Sequence, residues 1–295
     1  MVPNLENIKV LTDGFSASFM RGLERAADDY NLISTTVTSR TNINTYAWLG
    51  DFPRMREWIG DRIIQGLDGK SYSITNKDWE LTLGIPTKDI EDDTFGLYAP
   101  VAEEIGMETK LHKTELVFQT LENGGDATSL CYDGKPFFAT DHPVGAGTAA
   151  NKIAGGNPKW YLIDDTRPLK PIIFQSRKEG QLVSKNTFTD DNVFFEKKAI
   201  WGVDHRYATG YGFWQLAVQS GATLDEAGLN DARTLMRRFK DDKARALNVR
   251  PTLLVVPPEL ELTATKLINL ATLSAGGENV MKNAFKLHVS PFLSA

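Results

Sequence analysis

Apolar and polar positions follow two different periods along this chain, and each change of period separates helical from extended segments. Residues 11–30 carry aromatic and leucine side chains near helical spacing, which predicts an amphipathic helix. Residues 33–46 are polar and β-branched instead. That composition predicts an extended arm or an edge strand, because it offers too few apolar side chains for a buried strand.

A period of two appears between residues 72 and 85. Its apolar positions are Tyr72, Ile74, Trp79, Leu81, Leu83 and Ile85. Such alternation predicts strands with one apolar face. Two pairings fit the sequence equally well. Either a turn at 76–78 joins two strands within this segment, or residues 62–66 pair with 79–85 around a tip at Asp68-Gly69.

Helical spacing returns in residues 94–123, with Asp92 or Asp93 as the predicted N-cap and Gly124-Gly125 as the stop. Pro100 and Gly106 favour a regular helix only in the second half of this segment. Even twenty residues of helix would reach about 30 Å, so we expect this helix to act as a beam for the fold.

The second half of the chain reads as strands followed by a compact α/β unit. Residues 124–159 are glycine-rich and predict a surface loop, whereas residues 160–177 and 192–221 predict strands. Thr223 and Glu226 have capping-box spacing, so a helix is expected from there. Further predictions are a buried strand at 251–256, a helix at 260–271 and a closing strand at 284–293.

The segment Tyr46–Asp93 stands apart because it holds three tryptophans but too few other apolar residues for a core of its own. An isolated hairpin is marginal in water and needs a surface to lie on. We therefore expect that much of this surface belongs to another copy of the chain.

Composition narrows the classes of function. The chain has 295 residues, 41% hydrophobic and 24% charged, which is typical of globular proteins and suggests about two domains. It contains no run of about 18 apolar residues and no apolar signal core near Met1, so we expect neither membrane insertion nor secretion. Cys131, the single cysteine, excludes an internal disulfide and a zinc site with two thiolates. A net charge of −5 argues against a dedicated nucleic-acid binder, although it is compatible with a wall that encloses nucleic acid.

Candidate chemistry is sparse. Cys131, Asp133, Asp141 and His142 are close in sequence and could form a Cys/His hydrolase site. The competing interpretation, a buried structural thiol beside a turn-capping Asp-His pair, is favoured because Cys131 has no activating context.

Other motifs are weaker still. Asp204-His205 could join Asp141-His142 at a metal, but this is no recognised ligand spacing, and a hydrogen-bonded pair at a strand end is favoured. The glycine-rich loop 145–156 lacks the lysine of a phosphate-binding loop. The basic run 237–245 is interrupted by two aspartates and is typical of a solvated face. We therefore expect no catalytic residue, no cofactor and no metal, and an assembly protein rather than an enzyme.

Several longer segments carry a family resemblance. They are WLGDFPRMREWIGDR (48–62), YSITNKDWELTLGIPTKDIEDD (72–93), DGKPFFATDHPV (133–144), WYLIDDTRPLKPIIFQSR (160–177), GVDHRYATGYGFWQLA (202–217) and RPTLLVVPPELE (250–261). In these segments, and in their order, the chain resembles the major head (capsid) proteins of Mu-like phages and prophages. The resemblance covers most of the chain and is more specific than any single motif.

The resemblance implies an α+β fold of the Hong Kong-97 type. By position, the expected divisions are an N-terminal arm (1–45), an extended β-hairpin loop (46–90), a peripheral domain with a spine helix (91–219), an axial domain (220–282) and a C-terminal strand (283–295). The implied function is a structural subunit that self-assembles into pentamers and hexamers. These would form an icosahedral virion capsid around packaged double-stranded DNA, assembled in the host cytoplasm.

The same resemblance implies partners. These are other copies of the chain, a portal, a scaffold with its maturation protease, and in some cases a cement protein, with no sequence-specific DNA contact and no membrane. The candidate intersubunit contacts are Trp48, Phe52, Arg54, Arg56, Trp58, Arg62, Tyr72 and Trp79. Alternatives left open are another phage structural component, such as a decoration or tail protein, and the Cys131–His142 hydrolase.

Overall fold

The computed structural model describes residues 5–46, 72–92, 96–187, 189–271 and 278–294, and every structural statement below refers to these residues. The helices are α1 Leu5–Arg25, α2 Tyr30–Ile33, α3 Thr87–Glu91, α4 Tyr98–Glu122, α5 Asp191–Glu196, α6 Glu226–Arg237 and α7 Glu261–Asn269. None of the helices in the described ranges is long and apolar enough to cross a bilayer.

The strands are short, except for two. They are β1 Ser34–Thr38, β2 Ile43–Tyr46, β3 Tyr72–Thr75, β4 Lys77–Pro86, β5 His142–Val144, β6 Gly147–Ala149, β7 Lys152–Ile153, β8 Trp160–Ile163, β9 Ile172–Lys178, β10 Leu182–Lys185, β11 Lys198–Tyr211, β12 Ala217–Ser220, β13 Leu253–Val256 and β14 Lys286–Val289.

Helix α4 is the predicted beam, and it is longer than its sequence signals suggest. Its 25 residues span about 37 Å. The expected restriction to the second half is wrong, because Pro100 lies in the first turn, where amide groups have no helical partner in any case. The predicted N-cap at Asp92 is also wrong: Leu97 occupies that position, and Asp92 caps the end of α3. Asp93 lies outside the described residues.

Helix α1 packs along α4, and small residues set the distance between them. A Cβ added to Gly106 would lie 3.0 Å from the backbone nitrogen of Leu23, so the two backbones approach closely at this point. Ion pairs flank the contact, with Arg25 and Glu103 2.9 Å apart and Lys110 and Asp28 3.2 Å apart. The predicted helix at 11–30 is confirmed up to Arg25, where α1 ends, whereas residues 26–29 are not helical and Tyr30 begins α2.

The first sheet has the order β1-β9-β11-β10, and β4 also pairs with β11. Strand β11 organises it, because its first ten residues pair antiparallel with all of β4 while its last six pair with β9. Strand β1 lies at the edge, parallel to β9. The first part of the polar stretch 33–46 is therefore an edge strand, one of the two outcomes that its composition predicts, while its last part forms β2.

The second sheet has the order β14-β13-β8-β12-β7 and holds much of the core. All residues of β8, β12 and β13 are buried. The predicted buried strand within 251–256 is thus confirmed, as is the closing strand, observed as β14. Strands from both sides of the predicted boundary at 219/220 belong to this one sheet, and the domain limits stay a prediction.

Three local predictions are wrong. The glycine-rich segment after His142 forms a hairpin, β5–β6, and then β7, rather than a loop. Residues 191–196 form the short helix α5 rather than a strand. Asp225, not Thr223, caps α6, because its carboxylate accepts a hydrogen bond of 2.8 Å from the Gly228 amide. A carboxylate is the stronger acceptor for free amides at the positive end of a helix.

Candidate assembly surface

Most of the candidate contacts lie in segment 47–71, and the two residues that flank this segment are neighbours in the fold. Strands β2 and β3 pair antiparallel, and Tyr46 lies opposite Tyr72 at the end of this ladder. The sequence predicts one of two pairings: β3 with another strand inside residues 72–85, or residues 79–85 with residues 62–66. The first pairing is wrong, because β3 pairs with β2 and β4 pairs with β11. The second involves residues outside the described ranges.

Buried amide side chains hold the root of this ladder. The Tyr46 hydroxyl donates to Gln175 Oε1 at 2.8 Å, and Gln175 Nε2 donates to Asn76 Oδ1 at 2.8 Å. Asn76 Nδ2 in turn donates to Ser39 Oγ and to the Thr41 carbonyl, at 2.9 and 2.8 Å. Each buried polar group named here has a partner, so the network fixes the position of β2–β3 against the first sheet.

Two of the predicted contact residues lie in this root and pack on their own chain. Tyr72 is partly buried, and its hydroxyl accepts from the Tyr211 amide at 3.1 Å. Burial raises the pKa of Tyr72, so the phenol stays protonated at neutral pH. Trp79 is also partly buried, and its indole N–H donates to the Tyr207 carbonyl at 3.1 Å. Their role as intersubunit contacts stays a prediction.

Trp79 connects β4 to the beam helix. Its ring meets the His112 ring edge-on, with centroids 4.6 Å apart, and His112 Nδ1 lies 2.6 Å from the Tyr207 hydroxyl. A small cavity of about 170 Å³ opens beside this cluster. The aromatic contacts and the ten-residue ladder to β11 together make β4 a rigid support.

The remaining candidate contacts are Trp48, Phe52, Arg54, Arg56, Trp58 and Arg62, and all of them lie outside the described residues. The structure describes the residues on either side of the segment that contains them. Tyr46 and Tyr72, which flank segment 47–71, lie opposite each other in the β2–β3 ladder, and the amide network holds Tyr46 through Gln175.

His205 does not form the predicted pair with Asp204. Asp204 pairs with Lys178, whereas His205 Nδ1 accepts a hydrogen bond of 2.9 Å from the Gly180 amide. Burial lowers the pKa of His205, and the nearby Lys113 ammonium lowers it further, so the ring is neutral at neutral pH. The two side chains point to different partners because alternate residues of a strand face opposite sides of the sheet.

The possible hydrolase site is a buried hydrogen-bond cluster. Asp133 accepts from the Cys131 thiol at 2.9 Å and lies 2.6 Å from His142 Nδ1. His142 also stacks on Trp214, with ring centroids 4.1 Å apart. Asp141 is absent from this cluster and pairs with Lys135 instead. The grouping of Cys131, Asp133 and His142 is thus confirmed, and the inclusion of Asp141 is wrong.

The electrostatics of this cluster oppose catalysis. Burial raises the pKa of the Cys131 thiol, and its hydrogen bond to Asp133 raises it further, which disfavours the nucleophilic thiolate. Burial also raises the pKa of Asp133, but hydrogen bonds from His142, Cys131 and the Lys135 amide outweigh that effect and hold it below its usual value. These three side chains, which in the described ranges form the one group suited to a metal, satisfy each other instead.

His142 is also tied to Asn151. Asn151 Oδ1 accepts from the Ala139 amide at 3.0 Å and lies 3.1 Å from His142 Nε2, while Nδ2 donates to the Phe137 carbonyl at 2.8 Å. The cluster therefore ties the β5–β6 hairpin to β7 and the core, which is a structural role. The sequence analysis identifies Cys131, Asp133 and His142 as neighbours but misses Asn151, which lies in the segment interpreted as a surface loop.

A surface that the sequence does not reveal lies on α5. Phe194 and Phe195 are 71% and 76% exposed, and their rings meet at 87° with centroids 5.0 Å apart. The adjacent aromatic residues favour a strand, in which one of the two would face inward. The helix instead leaves both outside.

Comparisons with known proteins agree with this picture. The profile of the family "Mu-like prophage major head subunit gpT" matches residues 8–293. The major capsid protein of Escherichia phage Mu is 39% identical over 99% of this chain and 100% of its own length. A chain from the procapsid of bacteriophage JBD30 superposes with a TM-score of 0.86 and 37% identity, covering 99% of this chain and all of that one.

A second structure, the JBD30 capsid decorated with minor capsid protein trimers, superposes with a TM-score of 0.79 and 28% identity over 93% of both chains. The expected α+β phage capsid fold of the Hong Kong-97 type is confirmed. The hydrolase and the decoration or tail protein are set aside, because this family is structural and forms the head itself. The chain belongs to the Mu-like prophage major head subunit gpT family.

Proposed function

We propose that copies of this major head subunit associate as pentamers and hexamers and close an icosahedral shell around double-stranded DNA. The protein is a structural component of the virion capsid. Its moderately negative charge, −5, suits a wall that encloses DNA without gripping it, because strong DNA binding depends on basic side chains that displace counterions.

The observation that supports the proposal is the anchoring of the two residues that flank segment 47–71. Tyr46 and Tyr72 are paired with each other, and the network through Gln175 and Asn76 holds this pair against the first sheet. We infer that the segment reaches a neighbouring copy. The side chains proposed to meet that copy are Trp48, Phe52, Arg54, Arg56, Trp58 and Arg62, with Tyr72 and Trp79 at the root. Aromatic residues and arginine are the types that carry most interface energy.

The divisions of the chain follow the same proposal. Residues 1–45 serve as arm, 46–90 as extended loop, 91–219 as peripheral domain around α4, 220–282 as axial domain and 283–295 as closing strand. Partners beyond other copies are a portal, a scaffold with its maturation protease and a cement protein. The decoration of the JBD30 capsid by minor capsid protein trimers supports the last of these.

A loop exchange tests this proposal. Because Tyr46 and Tyr72 are paired antiparallel, a two-residue Asn-Gly turn can replace residues 47–71 and close the hairpin. We expect the shortened subunit to keep its circular dichroism and thermal unfolding midpoint but to form no shells by electron microscopy. A control variant with a Gly/Ser segment of the original length separates loss of the side chains from loss of length.

The expected result for the control is also failure to assemble, since the contacts are made by side chains. Shells of normal size from the shortened variant would refute the proposed role of segment 47–71. Tubes or isolated trimers from the wild-type chain, in place of shells, would refute the proposed pentamers and hexamers.

A further inference from the structure

Helix α5 is a short but well-anchored element at the rim of the first sheet. Its Val193 side chain is buried, and the Asn192 amide donates to the carbonyls of Lys185 and Lys198 at 2.9 and 2.7 Å. These bonds tie the helix to the end of β10 and to the start of β11. The exposure of Phe194 is therefore a fixed feature of the fold.

The two phenylalanines give this rim a continuous apolar surface. A phenylalanine buries on the order of 150–250 Å² in an interface or core, so two rings exposed by about seven-tenths offer roughly 300 Å². That is more than a third of the ~800 Å² that each partner contributes to a standard interface. Val183, on the neighbouring strand β10, adds a further apolar side chain that is 60% exposed.

Strand β10 is also an open edge. Within the described ranges it pairs with β11 alone, which leaves its other side without a strand partner. Unpaired strand edges tend to associate with further chains. The charged residues in sequence around the two phenylalanines balance in sign. They are Lys185, Asp190, Asp191, Glu196, Lys197 and Lys198. An apolar centre with a mixed polar rim has the anatomy of a protein–protein interface.

We propose that Phe194 and Phe195, with the adjoining edge of β10, dock against a second copy of this chain in the assembled shell. The inference rests on the proposed function, because a shell subunit is surrounded by copies of itself. Balanced charge and an apolar centre argue against DNA as the occupant, since DNA binding depends on an excess of basic groups. They suit a partner surface from the same chain, which also mixes both signs of charge.

Paired double substitutions test the inference. Phe194→Ser with Phe195→Ser removes the apolar surface, whereas Phe194→Leu with Phe195→Leu retains most of it. Because both side chains are exposed, we expect both variants to unfold within a few degrees of the wild type. The serine pair should lower the yield of shells at least tenfold, measured by sedimentation and electron microscopy, and the leucine pair should assemble normally.

A serine pair that assembles like the wild type overturns this inference alone. Normal shells that no longer bind a decorating protein overturn it as well and assign the surface to that protein. If the wild-type chain forms no shells under the same conditions, the proposed function fails and the inference fails with it.

A labelling experiment gives an independent measurement. Cys131 is buried, so Phe195→Cys supplies the reactive thiol of the variant. We expect a maleimide to react at least tenfold more slowly with assembled shells than with the same variant after dissociation. Equal rates in the two states would overturn the inference.

Discussion

The contact between α1 and α4 makes a sharp prediction, because it leaves no room for one methyl group. A Cβ added at Gly22 would lie 2.8 Å from the carbonyl carbon of Glu103, 3.0 Å from the Met107 nitrogen, and closer still to the Glu103 oxygen. Carbon atoms in contact prefer separations of about 3.5–4.0 Å. Gly22→Ala therefore forces the two helices apart by about an ångström or displaces α1.

The magnitude follows from the two possible responses. Undocking α1 would expose Phe15, which stacks on Trp201 with centroids 4.4 Å apart, and Phe19, which is 1% exposed. Each such side chain contributes about 1.5–3 kcal/mol by burial, so complete undocking costs roughly 3–6 kcal/mol. Separation of the helices costs about 3 kcal/mol, at the upper end for overpacked sites. Alanine regains about 1 kcal/mol of helix propensity, which leaves a net loss near 2 kcal/mol.

Gly14 provides a matched control on the same helix. A Cβ there meets nothing within 4 Å, so Gly14→Ala should stabilise α1 by about 0.5–1 kcal/mol. Amide hydrogen exchange measures both effects in the unassembled subunit. A loss of 2 kcal/mol corresponds to roughly thirtyfold faster exchange over the second half of α1. If Gly22→Ala exchanges as slowly as Gly14→Ala, the close approach of the two backbones is refuted.

Two further predictions concern the buried cluster around His142. Asn151→Leu removes the acceptor of the Ala139 amide and leaves buried polar groups unpaired, so the free energy of unfolding should fall by about 3–5 kcal/mol. Urea denaturation measures this loss, and an unchanged midpoint would contradict the network. Asp133 has a lowered pKa, so the stability it contributes is present above its unfolded pKa, near 3.9, and is lost as the pH falls through the lower folded value. The thermal unfolding midpoint, measured from pH 5 to pH 2, should therefore fall more steeply with pH below about pH 4. Asp133→Asn should make this fall shallower, and the same slope in the variant and the wild type would contradict the assignment.

Helices and buried strands are predictable here because their signals are local. The apolar run of β13 lies within a single element, and the structure reproduces it as a buried strand. The spacing in α4 predicts the helix but not its buried face, because Val101 is 44% exposed whereas Ala102 and Gly106 are buried. Gly106 misleads because a glycine weakens an isolated helix, while in the fold it permits the close approach of α1. Helix propensity includes the destabilising effect of a glycine on a helix, but it does not include the packing between α1 and α4 that offsets this effect.

Strand pairing is less predictable because it is decided by distant residues. The alternation at 72–75 identifies an apolar face, but it does not identify the partner, which is β2. Both pairings that the sequence suggests close short loops, whereas the observed one encloses residues 47–71. A longer loop adds little to the closure entropy, which grows only with the logarithm of length. The contacts of Tyr46 and Asn76 with Gln175 then favour the longer closure.

The candidate assembly surface also has one part that the sequence predicts and one that it does not. Composition identifies an aromatic and basic segment without a core, because composition is a local property. The anchoring of that segment at Tyr46 depends on Gln175, more than a hundred residues later. A two-stranded ladder alone is marginal. The buried amides orient it at little gain in stability, since their hydrogen bonds replace bonds to water. A segment that is anchored at its base loses less conformational entropy on binding than a free one. In the proposed assembly, the polar network at Asn76 therefore favours contact between segment 47–71 and a neighbouring copy.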